Sequence, residues 1–175
     1  NSRWTADLLR EKYDIEAPVI YPPIPGEFPQ TEWERREPGF VCIGRISPEK
    51  RVERAIEILA EVRRQGQDVH LHIVGGIENG YGARIAAMAR RAGGWAIMEG
   101  RRYGAEKERL LAGHRFGIHA CKIEAFGIAV AEMVKAGSIV FAPGDGGQAE
   151  VLDHPDLLYS DVADAAGKIL AVMGS

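Results

Sequence analysis

Seven residues separate Glu124 from Glu132, and the stretch they bracket has the makings of a polar binding site. Residues 119–152 read as loop, helix, strand, glycine turn and helix start. The pattern places Glu124 in the loop just before a helix that begins near Phe126, and Glu132 about two turns into that helix. Between 126 and 137 the charged residues are Glu132 and Lys135, so the spacing predicts a buried helix. A carboxylate on such a helix is costly unless it is satisfied. Sugar hydroxyls would satisfy it, and so would a neighbouring basic group. The unpaired amides around Phe126, Gly127 and Ile128 form an anion site at the start of the helix. Two carboxylates for hydroxyls and one helix end for a phosphate are the needs of a nucleotide sugar.

A second concentration of charge follows the apolar run 40–43. Gly44-Arg45-Ile46-Ser47-Pro48-Glu49-Lys50-Arg51 opens a helix expected to reach about Gly66, with Ser47 as N-cap and Pro48 at the first helical position. Lys50, Arg51 and Arg54 would then crowd the positive end of the helix dipole, each costing about 0.3–1 kcal/mol if exposed. Glu49 and Glu53 offset part of that cost. An anion held between Arg45, Lys50 and the amides would reverse its sign; the alternative is a solvated, self-paired turn.

The other candidates also follow apolar runs. Gly75-Gly76-Ile77-Glu78-Asn79-Gly80 is an exit turn without the spacing of a dinucleotide fingerprint, and the chain has no Walker A loop. His70 and His72 share one strand face, but no third metal ligand is apparent, so they read as an edge or half-buried strand. Arg101, Arg102 and Tyr103 can stack on a base, meet a phosphate or simply face solvent. His119 reads as structural. Pro143-Gly144-Asp145-Gly146-Gly147 allows close approach of backbone to a ligand. Glu150 after it is either a site residue or a first-turn helix carboxylate.

These motifs need a scaffold that gathers them. Strands are expected at 40–43, 69–74, 95–99, 116–120, 139–142 and 157–159. Helices are expected at 81–92, 105–112 and from Asp161 to about Met173, the last capped by Ser160 or Asp161. An N-terminal helix within residues 1–17 follows from Ala6, Leu8, Leu9 and Tyr13, with Ser2 or Thr5 as its cap. Five of the nine prolines fall within 18–29, which reads as an extended linker. Short apolar strands alternating with helices predict an α/β fold, a doubly wound, Rossmann-like parallel sheet. In such a sheet the loops at 44–50, 75–76, 100–103, 124–132 and 144–147 meet at the carboxyl edge of the strands.

The composition fits that reading. The 175 residues are 46% hydrophobic and 27% charged, the mix of a globular domain with a sizeable core. A net charge of −3 argues against a nucleic-acid groove. Cys42 and Cys121 sit in apolar runs without metal-ligand spacing and read as reduced core residues. No apolar run approaches the length of a membrane span. Asn1 reads as a cut within a longer chain, so targeting is not legible.

The Glu-x7-Glu pair, the Phe-Gly after its first member and the Gly-Gly turn after the next strand resemble the donor site of GT-B glycosyltransferases of family 4. The wording Phe-Gly-Ile-Ala-Val-Ala-Glu-Met-Val-Lys-Ala-Gly is most similar to mannosyltransferases that use GDP-mannose. Gly-Arg-x-x-x-x-Lys resembles the family's diphosphate clamp. Asn-Ser-Arg-Trp-Thr followed by Tyr-Pro-Pro resembles its crossover between domains.

The resemblance implies the donor-binding C-terminal half of a retaining hexosyltransferase. Residues 1–37 would be the end of an otherwise absent N-terminal domain and its linker, and residues 38–175 the donor domain. Glu124, Arg45 and Lys50 would be catalytic. Gly44, Gly75, Arg101, Phe126, Gly127, Ile128 and Glu132 would bind the donor, with Glu132 on the ribose and the region of Arg101 near the base. No Asp-x-Asp motif is present, so no metal or other cofactor is expected besides the nucleotide diphosphate sugar. The acceptor, a sugar or a lipid-linked sugar, would be bound through the missing domain. The location would be cytoplasmic, with peripheral attachment to the inner face of a membrane through that domain. The alternatives are a sugar-nucleotide epimerase of GT-B shape and a non-catalytic nucleotide-binding α/β domain. Cys121-Lys122-Ile123 and Asp145 depart from the family pattern.

Overall fold

Apolar runs of four to seven residues, interrupted by glycine, form strands buried on both faces when helices flank the sheet. The computed structural model describes residues 1–77 and 80–174. Glu78 and Asn79 of the expected exit turn, and Ser175, lie outside the described residues. Among the described residues the strands are β1 (Glu37–Ile43), β2 (Leu71–Val74), β3 (Ala96–Gly100), β4 (His114–Ile118), β5 (Ile139–Pro143) and β6 (Leu158–Tyr159). They form one sheet in the order β3-β2-β1-β4-β5-β6, and every pairing is parallel. The register sets Phe40 beside Leu71 and Phe116, and Phe116 beside Ile139. This is the doubly wound order, with a switch point between β1 and β4.

The helices are α1 (Arg3–Tyr13), α2 (Val52–Arg64), α3 (Gly80–Arg91), α4 (Gly104–Ala112), α5 (Ile128–Lys135), α6 (Gln148–Leu152) and α7 (Val162–Met173). One face of the sheet packs Phe40, Leu71, Ile73, Phe116 and Phe141 against Ile58 and Leu59 of α2, Ile85 of α3 and Ile169 of α7. The other packs Val41, Val74 and Val140 against Leu111 of α4 and Val130 and Met133 of α5. Phe40 and Phe116 stack with centroids 4.9 Å apart. No helix among the described residues is long and apolar enough to cross a membrane.

Ser2 caps α1 by accepting from the Thr5 amide, and Asp161 caps α7 by accepting from Asp164. Three expectations need correction. Ser47 does not open a continuous helix. Pro48–Lys50 is a 3-10 turn, Arg51 then adopts φ 49°, and α2 starts at Val52, whose amide donates to Tyr81 Oη. That left-handed residue leaves Lys50 in the turn before α2 and not in its first turn. Helix α5 starts at Ile128, two residues later than expected, because Gly127 has φ 99°. It is also less enclosed than its composition suggests: Ile128 is 48% and Val134 40% exposed.

The third correction concerns His72 of β2 and His70 just before it, which are half-buried as expected but not at an edge of the sheet. Strand β2 is internal, between β1 and β3. His70 and His72 meet His114 at the start of β4, with ring centroids 4.6–5.4 Å apart. Burial pushes the His70 and His114 imidazoles below their ordinary range.

Candidate functional site

Because the strands are parallel, the loops leaving β1, β2, β3, β4 and β5 all lie at one edge. Two glycines bring the first exits together. Gly44 has φ 151°, and a Cβ on Gly75 would sit 2.2 Å from the Gly44 carbonyl oxygen. Gly44 donates to Val74 O at 3.0 Å and Gly75 to Gly100 O at 2.8 Å. An open cleft of about 500 Å³ runs along these exits and is lined by Gly44, Arg45, Gly75, Arg101, Tyr103 and Lys107 among others. That volume suits a small molecule. The charged residues of its lining are Arg45, Arg101, Arg102 and Lys107, all cationic.

A smaller hollow shares Ile43, Gly44, Arg45, Ile46 and Val74 with the cleft and adds Lys50 and His119. Here Lys50 Nζ donates to Glu124 Oε2, and both side chains are about four-fifths buried, at 20% and 21% exposure. His119 Nε2 lies 3.5 Å from the same carboxylate oxygen. The His119 carbonyl accepts from Tyr159 Oη at 2.5 Å. The His119 imidazole and then the Lys50 ammonium hold the Glu124 carboxyl at about 2, well below the ordinary range, against the opposing effect of burial.

The sign of the resulting pH dependence follows from that depression. The stabilisation is fully present above the unfolded carboxylate pKa of about 4.3 and is lost as pH falls towards about 2. Glu124→Gln is therefore expected to cost roughly 2 kcal/mol at pH 7 and close to nothing at pH 2. Urea unfolding of both proteins across that range measures it; a difference that does not change with pH would contradict the assignment.

Glu132 is 7% exposed on α5, and Lys107 of α4 meets it at 2.7 Å. The basic neighbour required by a buried carboxylate is thus present, and Lys107 itself lines the cleft. Arg45 behaves differently. Its side chain is 80% exposed, 3.7 Å from Glu49, so it borders both hollows without being fixed in either. Arg101 faces Gly76, where a Cβ would lie 2.5 Å from Arg101 Nε. Arg102 turns to Glu99 at 2.9 Å, and Tyr103 is 71% exposed.

The loop carrying Glu124 is sewn to the glycine turn after β5. Gly147 donates to Glu124 O at 2.7 Å. Buried Gln148 donates through Nε2 to Asp145 O at 2.5 Å and Pro143 O at 3.0 Å, with Cys121 O at 3.3 Å. Gly127 is pressed against Gln148: a Cβ there would lie 2.9 Å from Gln148 Cβ. Glu124 lies four residues before Ile128, where α5 begins without a side-chain cap.

Glu150 accepts from the Trp4 amide at 2.6 Å, the Arg3 amide at 3.0 Å and Tyr21 Oη at 3.1 Å. Burial would raise this carboxyl; the Trp4 and Arg3 amides outweigh it and hold it below the ordinary value. Ser2 and Thr5 hydroxyls donate to Ala125 O at 2.5 and 3.1 Å. Glu150 therefore fastens the start of α1 to α6, while Ser2 and Thr5 fasten it to the Glu124 loop. Lys107, Gln148 and the partnership of His119 with Glu124 are not legible in the sequence. Lys107 and Glu132 are 25 residues apart, and nothing local marks them as partners.

Residues 24–173 match the family model described as glycosyl transferases group 1. No curated protein matches the sequence at a significant level. Among solved structures, a pneumococcal O-GlcNAc transferase determined with UDP and GlcNAc superposes with a TM-score of 0.77 at 14% identity, over 99% of this chain and 37% of that one. An Anabaena protein determined with UDP and glucose gives 0.66 at 22% identity, over 81% and 39%. The catalytic domain of the Helicobacter pylori cholesterol-α-glucosyltransferase gives 0.67 at 20% identity, over 79% and 87%. The chain thus spans little more than a third of the first two structures. At these identities the likeness concerns the fold, that of the Rossmann-like domain of GT-B glycosyltransferases.

Proposed function

The chain belongs to the group 1 glycosyl transferases, and we propose that it is the donor-binding half of a retaining hexosyltransferase of family 4. The observation that carries this reading is the Lys50–Glu124 pair, lodged at the carboxyl edge of the sheet, with Glu124 four residues before α5 begins. A cation and a carboxylate meet there, ahead of an uncapped helix start and beside a cleft whose charged lining is cationic. The donor is a nucleoside diphosphate hexose. The wording of 126–137 makes GDP-mannose the first candidate, and the UDP in two structural neighbours makes UDP-sugars the second.

In this reading Lys50, Arg45 and the amides of Ile128 and Ala129 face the diphosphate, Glu124 accepts from sugar hydroxyls, and Glu132 accepts from the ribose. Gly44 and Gly75 let the phosphates approach the backbone, and Arg101 lies towards the base. Bond breakage between sugar and diphosphate puts negative charge on the leaving group. Fixed cations and amides aimed at that charge lower the barrier. In this reading cationic side chains and backbone amides take the part that a divalent ion would otherwise play. The ligand also displaces ion pairs already made: Lys50 leaves Glu124 for phosphate, and Glu132 exchanges Lys107 for hydroxyls.

Residues 1–37 are read as the end of the acceptor-binding domain and its crossover. The rest of that domain would supply acceptor groups, and the whole enzyme would act in the cytoplasm. Thermal shift and calorimetry with GDP, UDP and ADP and their sugars test the donor reading. A nucleotide at 100 times its dissociation constant adds about 2.7 kcal/mol of stability. Absence of a shift with every nucleotide would overturn it.

A further inference from the structure

We propose that Glu37, His70, His72 and His114 form a binding site for a divalent transition metal of the zinc class, clipping β1, β2 and β4 together towards their amino ends. One ligand atom from each of the four lies within 4.8 Å of all the others. Glu37, His72 and His114 lie on the adjacent strands β1, β2 and β4 and His70 just precedes β2, so the sheet order itself brings them together. This site is independent of the donor reading.

The second coordination sphere is already built. His114 Nδ1 lies 2.8 Å from Leu110 O. A carbonyl only accepts, so Nδ1 carries the hydrogen and the lone pair of the neutral ring is on Nε2. His72 Nδ1 lies 2.7 Å from Glu99 Oε1, and the same logic leaves its Nε2 as the free nitrogen. Glu99 is in turn held by Arg102 at 2.9 Å. A carbonyl or carboxylate behind each imidazole is how metal-bound histidines are oriented.

The inner atoms lack partners. His114 is 3% exposed, yet its Nε2 has no hydrogen bond; His70 Nε2 is likewise buried without one. Buried nitrogens are ordinarily satisfied, so two unsatisfied ones facing a common point ask for a ligand. Both approach one oxygen, Glu37 Oε2, at 3.4 Å from His70 and 3.9 Å from His114. Space is reserved for the ring as well. A Cβ on Gly39 would lie 2.1 Å from His70 Nε2.

Three imidazoles and one carboxylate suit zinc, copper or nickel rather than magnesium or calcium. Four protein ligands make a closed, structural site. Tetrahedral bonds of 2.0–2.1 Å put ligand atoms about 3.3 Å apart. The present spacing closes to that with shifts of at most roughly 1 Å per atom, and exposed Glu37 is free to swing inward.

The test uses the chelator-stripped chain with ZnCl2 and, separately, CoCl2. One equivalent of metal is expected to bind. Zinc at 100 times its dissociation constant should raise Tm by about 5–10 °C, and cobalt should show the visible bands of a tetrahedral nitrogen and oxygen site. His70→Gln is expected to lower affinity at least about 100-fold, and Glu99→Gln, which leaves all four ligands in place, about 10- to 100-fold. Circular dichroism confirms folding of each variant, and Cys121→Ala should bind as the wild type does. Three results would each overturn the proposal: no saturable uptake, equal uptake by wild type and both variants, or a sulfur-to-cobalt band lost in Cys121→Ala. The last would move the metal to His119, Cys121 and Glu124.

Discussion

Lys50→Ala is expected to weaken binding of a nucleoside diphosphate by about 30- to 150-fold. A charge-assisted contact contributes about 2–3 kcal/mol when partly shielded from water, and each 1.4 kcal/mol is tenfold. Lys50 is 20% exposed and already positioned by Glu124, so little ordering entropy remains to be lost. Glu124→Gln provides a crossed control. It replaces the charged, two-oxygen acceptor for sugar hydroxyls by a weaker neutral one and releases Lys50 from its ion pair. Nucleoside diphosphate affinity should therefore hold or rise, while affinity for the complete nucleotide sugar falls. Calorimetry with both ligands on both variants reads the pattern. Parallel losses for the two ligands in Glu124→Gln would mean that Glu124 only supports the loop.

Gln148→Leu carries the second large effect, and it acts through architecture. The substitution keeps the volume roughly constant and deletes an amide that is 0% exposed. Asp145 O and Pro143 O lose their donor, with Cys121 O beside them. Buried carbonyls stripped of partners cost about 1–3 kcal/mol in such a case, so Tm should drop by about 3–10 °C. The damage should be local as well as global. Amides within 121–127 and 144–147 should exchange hydrogen faster, and nucleotide affinity should fall although Gln148 itself is given no contact to the nucleotide. Unchanged exchange in both loops would show that Gly147 and the packing of Gly127 hold them without Gln148.

The strands were legible because a parallel sheet buries both faces, so 40–43 and 139–142 announce themselves as unbroken apolar runs. The gathering of Gly44, Gly75, Lys50 and Glu124 at one edge followed from strand alternation alone. Local geometry was less readable. Ser47-Pro48 has the composition of a helix start, but the left-handed Arg51 that breaks it depends on tertiary contacts, among them the Tyr81 hydroxyl on the Val52 amide. Partners across the sheet were not readable at all. His114 completes the histidine group because β4 lies beside β1 and β1 beside β2, and that order is a property of the whole chain. Lys107 reaches Glu132 for the same reason.

The fastening of α1 bears on how this protein should be trimmed. The family match begins at residue 24, and a clone cut there would discard Ser2, Arg3, Trp4, Thr5 and Tyr21. Glu150 would be left with a carboxylate shaped for three vanished donors, and Ala125, next to Glu124, with a carbonyl facing water. The smallest unit that keeps the Glu124 loop in shape is thus larger than the recognised homology region, and its boundary lies before α1.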